Sequence, residues 1–436
     1  MSRLPLSLRR PDEPVFVHRC RPVSLGRLLH QACCVAEALP AGEYVINRCC
    51  DRYAFAVGFV AAAMSGRTSL LPPDRMDSTV QDLTRRYPDA CVLADEAGAG
   101  GLDGVMHAAL AESGEMDTVP RVAREETGCI VFTSGSTGPS KAIAKPWTTL
   151  LESSRINARA LELDHHNLLA TVPPQHMYGL ETSILLPLFA PVAVSHACPF
   201  WPGDVAAELE NLPEPRVLVS TPVHLRALSD GETRLGPLAR VVSSTSPLEP
   251  GQAEAVETLH GTRLLEIYGC SETGCMARRE PARQDHWTLF PEFEVSEDQG
   301  IFRAGADHLV QDFELQDRLE FSGSGTFRLA GRREDLVKVA GKRASLAELN
   351  RRLLATPGVR DGVIFEPPEA PDRHVPRLAA LVVAPEMEPA EIRAALNGQI
   401  EPVFIPRPIV TVDHLPRSET GKLRRDLLAD LLASRR

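Results

Sequence analysis

The segment from Phe132 to Lys141 has the residue types that surround a nucleotide phosphate. Its two glycines permit backbone turns in which successive N–H groups point at an anion. Hydroxyl groups and one ammonium group complete the set, which comprises Thr133, Ser134, Gly135, Ser136, Thr137, Gly138 and Lys141. The apolar run Cys129–Phe132 predicts a buried strand just before the loop, and α/β sheets bind ligands at the carboxyl ends of their strands. The segment therefore predicts a phosphate-binding loop.

Two alternatives apply to this loop when it is taken alone. A Walker A loop requires Gly-Lys-Ser/Thr at the start of a helix, whereas Lys141 lies between Ser140 and Ala142. A P-loop nucleoside triphosphatase is therefore a poor match. The other alternative is a surface turn rich in serine and glycine, so the rest of the chain has to decide.

Two further polar segments lie near predicted strands. The segment Pro174–Leu180 places His176 and Tyr178 beside a glycine, although a single histidine is often a structural core residue. A polar turn follows the predicted strand that ends near Ser243, and it consists of Ser244, Thr245 and Ser246. Neither segment identifies a reaction by itself.

The segment Tyr268–Thr273 has residues suited to a nucleotide. Tyr268 and Gly269 offer a flat face to a base, Ser271 offers a hydroxyl, and the carboxylate of Glu272 is a ligand type that holds Mg²⁺ beside phosphates. A strand end with a capping serine is the structural alternative. Farther along, Asp317 can accept hydrogen bonds from ribose hydroxyls, although an aspartate in a turn is usually only a turn former.

The elements that must position these residues follow from the hydrophobic pattern. Between residue 20 and about residue 250, short apolar runs alternate with helical patterns, which indicates βα units and mainly parallel sheets. Strands are predicted at Tyr44–Ile46, Ala90–Leu93, Ile130–Phe132, Val192–Ser195, Val217–Ser220 and Val241–Ser243, and helices at Leu25–Leu39, Asp77–Arg86, Val205–Leu212 and Pro250–Leu259. Alternating residues between Trp287 and Phe327 predict antiparallel strands, and the chain after Gly331 reads as a compact α+β unit.

The composition restricts the class of protein. The chain has 436 residues, 43% of them hydrophobic, and a formal net charge of −11. It can bury a large core in two or three domains, and its acidity argues against a general nucleic-acid or membrane-surface binder. The ten cysteines form no C-x-x-C pair, which indicates reduced, mostly buried thiols. Met1–Val15 has no apolar signal segment and Ala54–Met64 is too short to span a bilayer, so a cytoplasmic protein is expected.

In this order and spacing, the segments resemble the adenylate-forming superfamily of acyl-CoA synthetases, nonribosomal-peptide adenylation domains and luciferase-like enzymes. The resemblance depends on the Thr-Ser-Gly-Ser-Thr-Gly loop at 133–138, on Tyr268-Gly269-x-Ser271-Glu272 and on the Pro-x-Ser-x-x-Gly-Lys segment that ends at Lys422. It covers the chain from about Leu25 to the end. The sequence departs from the family pattern at Pro139-Ser140 and Ala142 in the loop, at Ser271, where threonine is usual, and at Leu315-Gln316-Asp317, where the family has Thr-Gly-Asp.

The resemblance implies a mixed α/β fold in two domains. Residues 1–332 would form a large N-terminal domain of mixed, mainly parallel sheets flanked by helices, with a β-rich subdomain, and residues 333–436 a small mobile α+β domain. It further implies that an acid attacks the α-phosphorus of ATP and that a thiol then displaces AMP. The implied roles are phosphate binding by the 133–141 loop, Mg²⁺ binding by Glu272, α-phosphate binding by Ser271, adenine contact by Tyr268 and Gly269, nucleotide binding by Asp317 and Arg332, catalysis by Lys422 and His176, a hinge at Glu334 and a thiol tunnel beside Gly341.

Other segments of the sequence bear on the identity of the acid. Amino-acid-activating relatives carry an aspartate in the segment aligned with His176-Met177, and this chain has none, so an uncharged aryl or fatty acid is favoured. An acyl pocket is predicted from His176, Tyr178, Ser244, Thr245 and Ser246, whose hydroxyls suit a ring hydroxyl. The layout resembles the ligases of aryl-polyene and xanthomonadin-type pigment clusters. The expected acceptor is CoA or the phosphopantetheine of an acyl carrier protein; a fatty acyl ligase, a non-catalytic adenylate-binding homologue and a P-loop phosphotransferase are the alternatives.

Overall fold

The computed structural model describes residues 2–96, 101–133, 141–231, 233–323, 325–332, 336–339, 342–367, 377–417 and 423–435. The chain divides into two compact units. The first comprises Met1–Glu294 and Gly305–Asp312, and the second comprises Val295–Ala304 and Phe313–Arg436. The predicted boundary at 332/333 lies within the second unit; residues 333–335 are outside the described residues, and this boundary stays a prediction.

The first unit contains three sheets. Its strands are β1 Arg3–Pro5, β2 Pro14–His18, β3 Arg21–Ser24, β4 Tyr44–Asn47, β5 Thr68–Leu71, β6 Ala90–Leu93, β7 Arg121–Ala123, β8 Thr127–Thr133, β9 Lys141–Pro146, β10 Asn167–Ala170, β11 Ala193–Ser195, β12 Arg216–Ser220, β13 Arg240–Ser243, β14 Arg263–Cys270, β15 Gly274–Arg279 and β16 Trp287–Leu289. β1 pairs with β7. A five-stranded sheet has the order β6-β4-β5-β8-β9, parallel except for the β8–β9 pair.

The largest sheet of this unit has the order β16-β15-β14-β13-β12-β10-β11-β2-β3. Its six central strands, from β14 to β2, are parallel, and antiparallel strands flank them on both sides. Apolar side chains of β10, β12, β13 and β14 pack against the helices beside them, with Leu169, Leu218, Val241 and Leu264 in one buried cluster. The carboxyl ends of the parallel strands consequently lie along one edge of this sheet.

Helices cover the sheets of the first unit. They are α1 Leu25–Ala38, α2 Arg52–Met64, α3 Asp77–Arg86, α4 Asp103–Ala111, α5 Trp147–Ala160, α6 Met177–Leu180, α7 Leu186–Phe189, α8 Pro202–Glu210, α9 Pro222–Asp230 and α10 Pro250–His260. A π-helical turn, Glu181–Leu185, joins α6 to α7, so that residues 177–189 form one continuous helix. π-helical turns of this kind are frequent at functional sites.

The second unit is smaller. It contains β17 Glu294–Asp298 apart from its first residue and β18 Ile301–Gly305 apart from its last. Its other elements are β19 Phe313–Glu314, β20 Asp317–Gly323, β21 Thr326–Arg332, β22 Leu336–Val339, β23 Lys342–Ser345, α11 Leu346–Leu354, β24 Asp361–Phe365, β25 Ala379–Val383, α12 Pro389–Leu396, β26 Ile409–Thr411 and α13 Arg425–Ser434. Its antiparallel hairpins and flanking helices form an α+β arrangement with its own apolar core.

The predicted fold class is confirmed, because helices alternate with mainly parallel strands in the first unit. Each apolar run predicted as a strand between Tyr44 and Ser243 corresponds to an observed strand. The prediction of mostly buried thiols is wrong: all ten cysteines are free, but only Cys49, Cys129 and Cys275 are buried. Among the described residues, no helix combines the length and apolar character needed to cross a membrane.

Arg52, the first residue of α2, is fully buried and organises the carboxyl end of β10. Its Nη2 donates to the carbonyls of Ala170 and Val172 at 2.7 and 2.9 Å, and its Nη1 donates to the hydroxyl of Ser183 in the π-helical turn. A buried guanidinium is costly unless its donors are satisfied. Arg52 therefore fixes helix 177–189 against the end of β10.

Replacing Arg52 with methionine removes the donors from these buried carbonyls, and we expect a loss of about 2–4 kcal/mol of unfolding free energy. All three tryptophans, Trp147, Trp201 and Trp287, belong to the first unit, so urea unfolding followed by tryptophan fluorescence reports on that unit. Arg155→Met is the control, because Arg155 makes only an exposed pair with Glu152 and should cost less than about 0.5 kcal/mol. Equal losses in the two variants would contradict the role given to Arg52.

Candidate functional site

The residues predicted to bind substrates in the first unit lie at the carboxyl ends of its parallel strands. His176 follows β10, the turn at 244–246 follows β13, and Tyr268 lies near the end of β14. Because these strands are adjacent in one sheet, their ends meet along one edge, which is where α/β sheets bind ligands. The structure thus brings together three segments that the sequence separates by almost a hundred residues.

The predicted phosphate loop connects the antiparallel strands β8 and β9. Thr133 and Lys141 are register partners at the ends of these strands, so both ends of the loop are fixed on the five-stranded sheet. The loop residues Ser134, Gly135, Ser136, Thr137 and Gly138, with Pro139 and Ser140, lie outside the described residues.

Lys141 contacts the carboxylate predicted to hold the metal ion. Its Nζ lies 3.1 Å from Oε1 of Glu272, and the two side chains are 68% and 21% exposed. Burial alone would raise the pKa of Glu272, but the hydrogen bond from Lys141 and a bond to the backbone N–H of Glu272 itself outweigh it and lower that pKa. Glu272 is therefore ionised at neutral pH and lies beside an exposed ammonium group, a combination suited to Mg²⁺ and phosphate together.

Glu272 is at the tip of the hairpin formed by β14 and β15. Cys270 and Gly274 are register partners at the base of this tip, and a bulge interrupts the ladder between Tyr268 and Gly269. The buried hydroxyl of Thr273 closes the tip, since it donates to the carbonyl of Gly274 at 2.9 Å and accepts the N–H of Cys270 at 3.4 Å. Ser271, half-buried, precedes Glu272 on the same tip.

Two buried charged residues beneath this tip are absent from the sequence prediction. Lys145, in β9, is 2% exposed and donates from Nζ to the carbonyl oxygen of Glu272 at 2.5 Å. Glu181, in the π-helical turn, is 3% exposed, and the nearby backbone N–H of Cys275 favours its ionised form. Their sequence surroundings give no signal of burial, because Lys141 lies four residues before Lys145 and Thr182 and Ser183 follow Glu181.

Burial and mutual attraction act in opposite directions on this pair. Burial raises the pKa of Glu181 to about 7, and the positive charge of Lys145 opposes the rise. Burial likewise lowers the pKa of Lys145, and Glu181 opposes that change. Gly274 lies against the carboxylate: its φ is +73°, and a Cβ there would be 2.4 Å from Oε1 of Glu181. Only glycine fits this position without displacing the carboxylate.

His176 and Tyr178 begin the helix 177–189. Gly179 allows the tight turn between them and the preceding prolines, because a Cβ at that position would be 2.0 Å from the carbonyl oxygen of Pro173. The hydroxyl of Tyr178 donates to the carbonyls of Ser220 and Val242, at 3.2 and 3.1 Å, and burial raises its pKa well above the usual value. Its proton is thus engaged by the ends of β12 and β13, while its oxygen can still accept.

The turn after β13 is strained. Thr245 has a φ of +84°, a conformation that is unusual for any side chain and an outlier for a β-branched one. Ser244 donates from its hydroxyl to the carbonyl of Ile267 at 3.0 Å, which ties the turn to β14. Tyr268, which follows Ile267, has its ring 5.6 Å from that of Trp287. Strain of this kind clusters at ligand sites.

The remaining predicted residues belong to the second unit. Asp317 begins β20 and is the register partner of Arg332 in β21, so the two residues share one end of a hairpin. Glu334, Gly341 and Lys422 lie outside the described residues. Their roles as hinge, thiol tunnel and catalytic lysine stay predictions.

A cluster of metal-ligating side chains lies farther along the same sheet, at the carboxyl ends of β2 and β11. His18, Asp51 and His196 bring their donor atoms within 4.8 Å of one another. However, one oxygen of Asp51 accepts the N–H groups of Tyr53 and Ala54, and the other is 2.6 Å from Nδ1 of His196. Asp51 therefore acts as the N-cap of α2, and its contacts account for the cluster without a metal ion.

Three comparisons with known proteins bear on this site. The model of the AMP-binding enzyme family matches residues 7–293. A 4-coumarate–CoA ligase from Rhodobacter capsulatus is 33% identical over 242 residues, which are 54% of this chain and 60% of the relative. This match thus spans less than two thirds of that relative's length. A 3,4-dihydroxybenzoate–[aryl-carrier protein] ligase from Bacillus anthracis is 21% identical over 338 residues, 74% of this chain and 79% of the relative.

The fold is also similar to solved structures. The crystal structure of ATP-bound MatB from Rhodopseudomonas palustris superposes with a TM-score of 0.81 and 18% identity, and the alignment covers 97% of this chain and 96% of that chain. At such an identity the likeness concerns the fold alone.

The close approach of Glu181 to Gly274 has a measurable consequence for stability. Gly274→Ala places a methyl group against the carboxylate in addition to straining the backbone, so we expect a loss of about 2–4 kcal/mol. Gly261→Ala is the matched control, since Gly261 also has a positive φ, of +60°, but open space around it; we expect about 1 kcal/mol there. The measurement is urea unfolding by tryptophan fluorescence, and equal losses would contradict the contact.

Proposed function

The chain belongs to the AMP-binding enzyme family, and on that basis we propose that it activates a carboxylic acid with ATP and passes the acyl group to a thiol. The observation that carries the proposal is the contact between Lys141 and Glu272. It joins the end of the predicted phosphate loop to the predicted metal-binding carboxylate, although 131 residues separate them in the sequence.

The reaction has two balanced steps. In the first, an oxygen of the substrate carboxylate attacks the α-phosphorus of ATP, a new P–O bond forms, and the bond to pyrophosphate breaks. In the second, a thiolate attacks the acyl carbon, a C–S bond forms, and AMP leaves with the electron pair of the C–O bond. Because the first step brings anions together, charge neutralisation and positioning are what the protein has to supply.

Residues of the first unit are suited to that task. Lys141 is an exposed cation that can neutralise a phosphate, and the ionised Glu272 is an oxygen ligand for Mg²⁺. Bound Mg²⁺ would neutralise phosphate charge and polarise the phosphoryl oxygens. Ser271 lies next to Glu272 and can donate to a phosphate oxygen, and the half-buried ring of Tyr268 offers a face to the adenine. The roles assigned to Asp317 and Lys422 come from the sequence resemblance.

We propose a hydroxylated aromatic acid as the substrate. The names of two relatives, a 4-coumarate–CoA ligase and a 3,4-dihydroxybenzoate–[aryl-carrier protein] ligase, support this choice. The residues also support it, because the turn at 244–246 carries three hydroxyls, that of Ser244 contacts β14, and the oxygen of Tyr178 can accept a hydrogen bond. A site that bonds a ring hydroxyl rejects the analogue that lacks it.

The thiol acceptor in this proposal is a phosphopantetheine group, carried either by CoA or by an acyl carrier protein. The chemistry of the second step is the same for both carriers. Offering CoA and a phosphopantetheinylated carrier protein separately, and following thioester formation with each, distinguishes the two sources.

The proposal predicts pyrophosphate exchange into ATP that depends on an added acid. We expect hydroxylated benzoates and cinnamates to support exchange better than medium-chain fatty acids, with AMP rather than ADP as the nucleotide product after the thiol is added. Glu272→Gln and Lys422→Ala should each lower exchange by about a hundredfold or more. Release of ADP would indicate a phosphotransferase, and exchange that is unaffected in Lys422→Ala would contradict the role of that lysine.

Thr245→Gly tests whether the strained turn serves recognition of the acid. Relief of the left-handed threonine should stabilise the first unit by about 1 kcal/mol. Removal of the side chain should also reduce the preference for a hydroxylated acid over its deoxy analogue by about tenfold in kcat/KM. Gln299→Gly is the control, because Gln299 also has a positive φ but belongs to the second unit. Unchanged selectivity in Thr245→Gly would remove the turn from the acid site.

A further inference from the structure

Two buried side chains of opposite charge contact the hairpin tip that carries Glu272. Lys145 donates to the carbonyl oxygen of Glu272 at 2.5 Å, and Oε1 of Glu181 lies against Gly274, where a Cβ would be 2.4 Å from it. We propose that Lys145 and Glu181 are positioning residues, which fix the backbone of residues 272–275 and thereby hold the carboxylate of Glu272 in place for the nucleotide. This inference rests on the proposed function, in which Glu272 faces the metal and phosphates.

Burial of these charges has no explanation in packing alone. Removing an ion from water costs several kcal/mol, and well-packed apolar residues usually stabilise a core as well or better. Lys145 and Glu181 are only 2% and 3% exposed. Both contact the main chain of the same tip, one near each end. The arrangement is therefore suited to orientation of the tip rather than to stability.

Contacts inside the tip cannot orient it relative to the rest of the unit. The hydroxyl of Thr273 bonds to two backbone groups, the N–H of Cys270 and the carbonyl of Gly274. Both groups belong to the same hairpin. Lys145 belongs instead to β9 of the five-stranded sheet, and Glu181 to the helix 177–189. The buried pair thus connects the tip to two separate elements.

Strand β9 reaches Glu272 twice. Lys141 contacts its carboxylate at 3.1 Å, and Lys145, four residues later, contacts its carbonyl at 2.5 Å. Since β9 also bears the end of the predicted phosphate loop, Lys145 sets the distance between that loop and the carboxylate. A displacement of about 1 Å between such groups can cost a hundredfold in rate.

Glu181 approaches the tip from a different element, the helix 177–189. It is the first residue of the π-helical turn, and such turns re-aim side chains relative to a regular helix. Its Oε1 lies against the backbone of Gly274, where a Cβ would be 2.4 Å away. The carboxylate therefore contacts Gly274 directly, so that small shifts of the helix would move the tip.

The test uses the full chain and the double variant Lys145→Met/Glu181→Leu. Because no unpaired buried charge remains, we expect this variant to fold. We expect kcat for exchange to fall at least about tenfold and KM for MgATP to rise about fivefold, while KM for the acid changes less than about twofold. The single variant Lys145→Arg keeps a cation and a hydrogen-bond donor. We expect it to retain part of the activity that the double variant loses.

Glu162→Gln is the matched control. Glu162 pairs with Arg240 and Arg278, at 3.1 and 3.2 Å, and Arg240 begins β13, at the end of the strand opposite to the candidate site. Loss of these pairs should leave kcat and both KM values unchanged. If the double variant does not fold, Glu181→Gln, which keeps the shape of the side chain, is measured in its place by the same criteria.

A second readout does not require turnover. A ligand that binds the folded state raises the unfolding midpoint, so we expect MgATP to raise it in the wild type and much less in the double variant. Wild-type kcat and a wild-type MgATP shift in the folded variant would overturn the positioning role and leave the proposed function intact. Absence of exchange in the wild type with every acid would instead overturn the proposed function, and the MgATP shift alone would then decide the inference.

Discussion

An ammonium group that leaves water needs an anion and a hydrogen-bond acceptor, and in this chain Lys145 finds both beneath a single hairpin. It is almost fully buried, it donates to the carbonyl of Glu272, and Glu181 supplies the opposing charge. Each charge opposes the effect of burial on the pKa of the other. The buried pair consequently brings together strand β9, the helix 177–189 and the β14–β15 hairpin. The exposed pair of Lys141 and Glu272 depends on this packing, because it joins β9 to the hairpin.

Polar groups that leave water also need hydrogen-bond partners at the carboxyl ends of the parallel strands. Strands that end at a ligand-binding edge leave carbonyl groups that no neighbouring strand satisfies. Arg52 bonds to carbonyls at and just after the end of β10, Tyr178 bonds to those at the ends of β12 and β13, and Ser244 bonds to one in β14. Two of these three side chains were predicted to line the acyl pocket. Their polar atoms are therefore shared between holding the edge together and meeting a substrate.

Much of the fold and part of the candidate site could be predicted from the sequence, because the signals for them lie in short segments. Short apolar runs such as Val217–Ser220, rich in valine and bounded by turn residues, favour buried strands, and the segment Tyr268–Thr273 shows its chemistry in its residue types. Lys145 and Glu181 could not be found in that way, because a charged residue is expected at the surface and only tertiary structure buries it. The bonds of Tyr178 to two strand ends depend on register between distant segments, and the sequence contains no signal for them.

The backbone at Thr245 bears on the proposed acid site. A β-branched residue in the left-handed region costs about 1–2 kcal/mol relative to glycine, so stability alone does not account for threonine there. The turn is held on one side by the bond from Ser244 to Ile267, and it presents three successive hydroxyl side chains after β13. A turn built for an apolar acid would gain nothing from those hydroxyls. Under the proposed function, this strain suits an acid that offers hydrogen-bonding groups to the turn.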